Sequence, residues 1–260
     1  PEWNTDRKKK ENTFRSMIWY FLPLYGPLVM ALFVLKQPDM GTAGMILLFP
    51  LLLYVLAGLP LLEILLGVGG AIVTFAILVI AEPYRMDRVV VLWDPFSYAA
   101  NRGYQTVQSL IAVGSGGLFG QSVGEGMSKF LYLPEQYTDF AYAVFSQEFG
   151  FVGSVFVLLL YLIFLLAGFA AARKLKETYA ALLVYGLTML ISVQGIVNIA
   201  MVIGCFPVTG IPLPFISYGG SSLLMNILSV ALIYGTTVQS LRETDLEERK
   251  RRIAQMEGRG

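Results

Sequence analysis

Apolar residues along this chain run in long unbroken blocks, and charge, glycine or proline separates one block from the next. Blocks of this length suit the roughly 20 helical residues that cross ~30 Å of hydrocarbon. They predict six membrane-spanning helices, at residues 14–35, 43–59, 61–81, 151–172, 178–204 and 217–239, of which the second is short. The predicted fold class is all-α integral membrane, one polytopic domain over 1–260. Residues 82–150 form a large loop carrying short helices, and 241–260 form a charged tail.

Charge orients the set. Arg7, Lys8, Lys9, Lys10 and Arg15 precede the first block, Arg173, Lys174 and Lys176 follow the fourth, and Arg242 with residues 249–252 follows the sixth. Six crossings put all three clusters on one side, which the positive-inside rule makes cytoplasmic. The 82–150 loop then lies outside, together with 37–42 and 205–216, and any chemistry is expected there. The tail, mixed in sign and helix-prone, reads as a solvated cytoplasmic helix.

Composition narrows the chemistry. With 56% hydrophobic and 14% charged residues the chain is unsuited to a soluble fold, and its net charge of +1 sits in short flanking clusters that offer no groove to nucleic acid. The single Cys205 excludes an internal disulfide, and the lack of histidine excludes imidazole relays and histidine metal sites. Acid–base work falls to carboxylates, lysine or tyrosine.

One stretch breaks the apolar pattern conspicuously. Residues 206–226, FPVTGIPLPFISYGGSSLLMN, hold three prolines and a polar SYGGSS run at the mouth of an apolar helix. Irregular backbone at a membrane edge is tolerated only where protein or a water-filled cavity satisfies its N–H and C=O groups. That marks a site. The hydroxyls of Ser217, Tyr218, Ser221 and Ser222 suit a cavity lining, and Gly219 and Gly220 suit close helix packing.

Several other residues carry two readings each. Pro134 suits the first position of a short helix, which would align Glu135, Asp139, Tyr142 and Ser146 on one face. On residues alone, Asp139 is equally a base or a helix-end cap. Glu135 either raises the Asp139 pKa by repulsion or faces water. Arg85, Arg88, Arg102 and Lys129 either grip phosphoryl oxygens or snorkel to headgroups. Gln105, Gln108 and Ser109 share a helix face that contacts sugar or peptide, or simply packs. Asp39 is expected to bond local N–H groups in a turn at 37–42. Phe130, Tyr132, Tyr137 and Tyr142 are expected as interfacial anchors.

These residues add up to a resemblance. Lys36-Gln-Pro-Asp-Met-Gly-Thr42, Pro83-Tyr-Arg-Met-Asp-Arg88, Gly103-Tyr-Gln105 with Gln108-Ser109, and Gly116-Gly-Leu-Phe-Gly120 occur in order. Tyr132-Leu-Pro-Glu-Gln-Tyr-Thr-Asp-Phe140, Glu148-Phe-Gly150 and Pro214-Phe-Ile-Ser-Tyr-Gly-Gly-Ser-Ser222 follow. Seven ordered motifs over nearly the whole chain resemble the SEDS family, which includes FtsW, RodA and SpoVE. The compact spacing from Gly120 to Tyr132 is most like the FtsW and SpoVE branch. Tyr137 stands where the family commonly has histidine.

The resemblance implies a ten-helix fold of which this chain, beginning with proline, supplies the last six spans. Activity is then expected of the full set, since the first four contribute to the central cavity. It also implies a peptidoglycan glycosyltransferase that polymerises lipid II for cell division or cell shape, on the outer face of the bacterial cytoplasmic membrane. Asp139, in Thr138-Asp139-Phe140, would be the base. Arg85, Arg88, Lys129, Glu135, Thr138, Gln105, Ser217, Tyr218, Ser221 and Ser222 would meet the substrate, whose leaving group is undecaprenyl pyrophosphate. The implied partner is a class B penicillin-binding protein transpeptidase. The sequence shows no closed metal-ligand set, although a divalent cation (Mg or Mn) bridging pyrophosphate is compatible with the chemistry. A lipid II flippase or transporter, and a non-catalytic divisome scaffold, use the same features. Asp139 in the outer loop favours surface chemistry, since Glu63 alone is acidic within the central apolar runs.

Overall fold

Long apolar blocks fold as helices because a helix satisfies its own backbone where no water can. In the computed structural model the described residues are 25–37, 39–58, 83–121 and 133–257, with single helical positions between 65 and 80. Their helices are α1 (Tyr25–Leu35), α2 (Met40–Leu56), α3 (Pro83–Trp93), α4 (Tyr104–Ser115), α5 (Ala141–Ala172), α6 (Thr178–Val202) and α7 (Gly220–Glu257). Among the described residues three helices are long and apolar enough to cross a membrane: α5, α6 and the Gly220–Glu247 part of α7. α1 and α2 are shorter apolar helices. The expected first span is described only from Tyr25, and most of the expected third lies outside the described residues.

α5 and α6 form the central antiparallel pair, α7 and α2 pack on α6, and α4 lies against α5. Small residues bring α5 and α6 together: a Cβ on Gly168 would strike the Thr188 side chain, and one on Gly195 would meet the Tyr161 ring at 2.6 Å. The main core, including Phe140, Tyr161, Ile191, Met201 and Leu213, gathers at the end where α5 begins and α6 finishes. A smaller cluster of Ala172, Leu175, Ala180 and Val184 closes the opposite end, beside Arg173, Lys174 and Lys176. Along α5 and α7, Phe156, Ile163, Leu166, Leu224, Met225 and Ile227 are exposed, as suits side chains facing lipid.

The expected helix from Pro134 does not form. Residues 134–140 are a series of turns, with Glu135 at φ 55°, and α5 begins only at Ala141. The Glu135 carbonyl accepts from both Thr138 N–H (3.1 Å) and Phe140 N–H (3.2 Å), a tight closure that the i+4 ladder of an α-helix does not make. Glu135, Asp139, Tyr142 and Ser146 therefore do not share a helix face. The last span also starts later than expected, at Gly220, and runs unbroken through the charged tail to Glu257.

α5 is broken at Gly150, whose φ 68°, ψ −166° leave the helical region. The break strips amides on its far side of their carbonyls four residues back, and the Gly116–Gly120 turn replaces them. Phe151 N–H donates to Gly117 O (2.8 Å), Val152 N–H to Leu118 O (3.2 Å), and Gln121 N–H to Gln147 O (3.0 Å). Ser154 Oγ donates to Gly150 O (2.8 Å), and Tyr142 Oη spans the break to Ser154 O (2.9 Å). Tyr142 is thus a buried strut and not the expected interfacial anchor. The break falls just before the start of the expected span at 151–172.

A Cβ on Gly150 would meet Leu118 O at 2.6 Å as well as the Gly120 amide, at a φ that side chains rarely adopt. Gly150→Ala is expected to cost about 1–3 kcal/mol from backbone strain alone, read as a lowered thermal midpoint in detergent. An unchanged midpoint would contradict this role for the break.

Candidate active site

Proline has no N–H and cannot continue a helix, so the segment between α6 and α7, with Pro207, Pro212 and Pro214, must find donor partners for its carbonyls outside a helical ladder. Side chains supply them. The Arg88 guanidinium donates to Val208 O, Asn198 Nδ2 to Ile211 O (2.7 Å), Gln194 Nε2 to Pro212 O (2.9 Å) and Tyr161 Oη to Pro214 O (2.6 Å). A buried carbonyl left unpaired costs about 1–3 kcal/mol, so donors from α3, α5 and α6 fix the shape of this segment. Gly41 at the start of α2 packs directly on Thr209, where a Cβ would collide with the backbone. Asp39 caps α2 by accepting from Thr42 N–H (3.0 Å), as the sequence suggested.

The 134–140 turn sits on this platform. Its carbonyls at 137, 138 and 139 are each taken by a different donor: Tyr218 N–H on Tyr137 O (2.7 Å), Ser217 Oγ on Thr138 O (2.5 Å) and Asn198 Nδ2 on Asp139 O (2.7 Å). Ser217 Oγ also accepts from Leu213 N–H (2.7 Å), and Asn198 is fully buried. Thr138 Oγ1 closes the turn internally on Glu135, with 2.8 Å to Oε2 and 3.2 Å to the carbonyl.

With its backbone held, Asp139 presents a half-buried carboxylate. A Cβ built on Gly210, itself at φ 71°, would lie 3.5 Å from Asp139 Oδ2, so the platform approaches the acid as bare backbone. Partial burial pushes the Asp139 pKa up, and the negative charges of Glu135 and Asp39 push it further the same way. Arg88 opposes them. A carboxyl tuned upward is a stronger proton acceptor than an ordinary one, and the cation beside it suits a place where negative charge develops.

The sequence-derived candidates divide. Asp139, Glu135, Thr138, Arg88, Ser217 and Tyr218 come together at this end of the bundle. Ser217 and Thr138 spend their hydroxyls on backbone and turn, and Tyr218, 81% exposed, contributes its amide while its ring faces out. Tyr137 is exposed too. Ser221 (exposed) and Ser222 (half-buried) stand in the first turn of α7. Gln105 and Gln108 are half-buried on α4, but Ser109 is fully buried and donates to Val202 O (2.7 Å), which settles it as packing. Arg102 pairs with Asp87 and ties the turn before α4 to α3. The side chain of Arg85 lies outside the described residues, as do Lys129, Phe130 and Tyr132. Among the described residues no group of three or more His, Cys, Asp or Glu is placed to hold a metal ion. Asn198, Gln194 and Tyr161 had not been singled out. Their signal was present, because an amide pair at i and i+4 in an apolar span must face a polar partner inside the protein.

The family model for the FtsW/RodA/SpoVE cell cycle protein matches residues 4–241. The chain belongs to this family. Among its FtsW/RodA/SpoVE relatives, stage V sporulation protein E of Bacillus subtilis is 37% identical over 88% of this chain and 62% of its own length. A probable peptidoglycan glycosyltransferase FtsW of Coxiella burnetii is 41% identical over 77% of this chain and 55% of its own. These names agree with the expected FtsW and SpoVE branch. The chain spans about three fifths of the length of the curated relatives it matches. A solved peptidoglycan synthase complex, described for its coordination of polymerization and crosslinking, is similar with a TM-score of 0.69 at 26% identity, over 88% of this chain and 64% of that one. A mutant of the Thermus thermophilus rod shape determining protein RodA is similar with a TM-score of 0.57 at 27% identity, over 86% and 58%. The all-helical membrane fold is thus that of the family.

The Asp139 shift has a sign for stability. A carboxyl whose pKa is higher folded than unfolded binds its proton more tightly in the native state, so its ionisation destabilises the fold above the folded pKa, and the penalty fades as pH falls through it. Asp139→Asn is therefore expected to raise the thermal midpoint at neutral pH, with the gain shrinking as pH is lowered into the carboxylate range. A lowered midpoint at neutral pH would contradict the partly desolvated carboxylate.

Proposed function

We propose that this chain carries the catalytic base of a peptidoglycan glycosyltransferase that polymerises lipid II. The observation that carries the reading is the half-buried Asp139 carboxylate, pinned by its own backbone beside Arg88 and backed by a glycine. The names borne by the FtsW relatives support the reaction class.

Extending a glycan means joining a sugar hydroxyl to the anomeric carbon of a lipid-linked donor. The acceptor oxygen is a poor nucleophile while it keeps its proton, so Asp139 accepts that proton as the new C–O bond forms. The bond from the anomeric carbon to pyrophosphate breaks with its electron pair, and in-line displacement turns an α linkage into a β linkage. The net products are a lengthened glycan, undecaprenyl pyrophosphate and the proton on Asp139. Arg88 lies close enough for its charge to act on the carboxylate, and it is the described cation best placed to stabilise charge growing on the departing pyrophosphate. Arg85 and Lys129 are proposed to extend that contact.

The proposed sidedness is supported by the basic turn at Arg173, Lys174 and Lys176, at the opposite end of α5 from Asp139. Put on the cytoplasmic side, this turn leaves the acid at the outer surface, where a lipid-borne sugar arrives in water while its chain stays in the bilayer. The solved synthase complex similar to this chain supports a class B penicillin-binding protein transpeptidase as the partner.

Asp139→Asn in the full-length polypeptide with its partner is expected to lower glycan synthesis from purified lipid II by at least about 100-fold. Assembly and lipid II binding are expected to persist. Polymerisation retained by the variant would remove Asp139 from the base role. No polymer from either protein, with intact complexes and lipid II crossing the bilayer, would favour a transporter.

A further inference from the structure

Ser217 was expected to line a cavity, yet both sides of its hydroxyl are already engaged with backbone, receiving Leu213 N–H at 2.7 Å and donating to Thr138 O at 2.5 Å. Asn198, buried to 0% exposure, likewise divides its amide between Asp139 O and Ile211 O, both at 2.7 Å. Two carbonyl acceptors on one nitrogen leave a single sensible amide orientation, because a flipped Oδ1 would face them with no proton.

We infer that Ser217 and Asn198 are positioning residues for the base, acting together as a carbonyl clamp that fixes where the Asp139 carboxylate meets the acceptor hydroxyl. The inference rests on the reading of Asp139 as the base. Turns are soft when their carbonyls bond only water, and this one bridges the exposed Glu135 to the buried Phe140. Neither the internal Thr138–Glu135 closure nor the packing of Phe140 specifies the height of residue 139 above the platform. The clamp does so, by tying the Thr138 and Asp139 carbonyls to donors on α6 and on the segment entering α7, next to the Tyr137 carbonyl held by Tyr218 N–H. Gly210 fits the same geometry, since any side chain there would contact Asp139.

The clamp also governs how much water reaches the acid. The charged groups acting on it are Glu135 from its own turn, Asp39 from the cap of α2 and Arg88 from α3. Loosening the turn moves the carboxylate toward solvent, which relieves the burial that holds its protonated form.

The test is lipid II polymerisation by the full-length polypeptide with its partner, comparing native protein with Ser217→Ala and Ser217→Thr. A misplacement of ~1 Å costs on the order of 100-fold in rate, so the alanine variant is expected to lose about tenfold or more in kcat with KM unchanged. Its acid limb is expected to move to lower pH, and threonine, which keeps the hydroxyl, to recover most of the rate. Should the alanine variant fail to assemble, Ser217→Cys, a weaker donor of similar shape, is read in the same way. A raised KM with kcat retained would make Ser217 a substrate contact and overturn the clamp, as would unchanged kinetics. Asp139→Asn runs beside them, and its full activity would reject the base itself. Amide exchange over 134–140 then decides the clamp alone: faster exchange in Ser217→Ala upholds it, and unchanged exchange rejects it.

Discussion

Backbone carbonyls without helical partners govern this structure. At the end of the bundle where α5 starts and α6 finishes, two irregular segments meet, the 134–140 turn and the proline-broken run before α7. Neither can bond itself fully, and a membrane edge makes unpaired groups costly. Each is completed by donors from elsewhere: Arg88, Tyr161, Gln194 and Asn198 for the proline-rich run, and Tyr218 N–H, Ser217 and Asn198 for the turn. Asn198 serves both, and with the direct bonds from Ser217 and Tyr218 it locks the two segments to one another. The same logic repeats at Gly150, where the Gly116–Gly120 turn supplies the acceptors that a broken helix lacks.

The proposed chemistry inherits its geometry from that arrangement. A carboxylate on a free loop would be fully hydrated and ordinarily acidic, a weak base at neutral pH. Held down on a platform of bare backbone, Asp139 loses part of its hydration and sits among Glu135 and Asp39 with Arg88 as counterweight. Proteins commonly give up stability at sites built for reaction. Here the cost is a partly dehydrated charge, and the hydrogen bonds around it keep the turn from relaxing toward water.

Much of this was legible in the residues. Uninterrupted apolar blocks gave α5, α6 and α7 with small errors at their ends, and the FPVTGIPLPFISYGGSS run announced irregular backbone at a site. Asp39 as a local cap also followed from pattern, and the resemblance pointed to Asp139 and Arg88 separately, without placing them side by side. The failures share a cause. Pro134 has the composition of a helix start, but the helix is pre-empted by the left-handed Glu135 and by the clamp, which involve residues up to 79 positions away. Hydroxyl-bearing residues such as Ser217 and Ser109 looked like ligand contacts because sequence does not say whether a backbone carbonyl already waits for them. Asn198 is the converse: its spacing from Gln194 signals a polar partner inside the protein, but which carbonyls it serves shows only when they are in place.

The most direct measurement is the pH dependence of kcat for lipid II polymerisation by the full-length polypeptide with its partner. A clamped, partly desolvated base gives a rate that rises with pH to a plateau, with a midpoint displaced above the ~3.9 of an ordinary aspartate. A midpoint at or below that value, or a rate that falls as the carboxyl ionises, would contradict a desolvated Asp139 acting as the base.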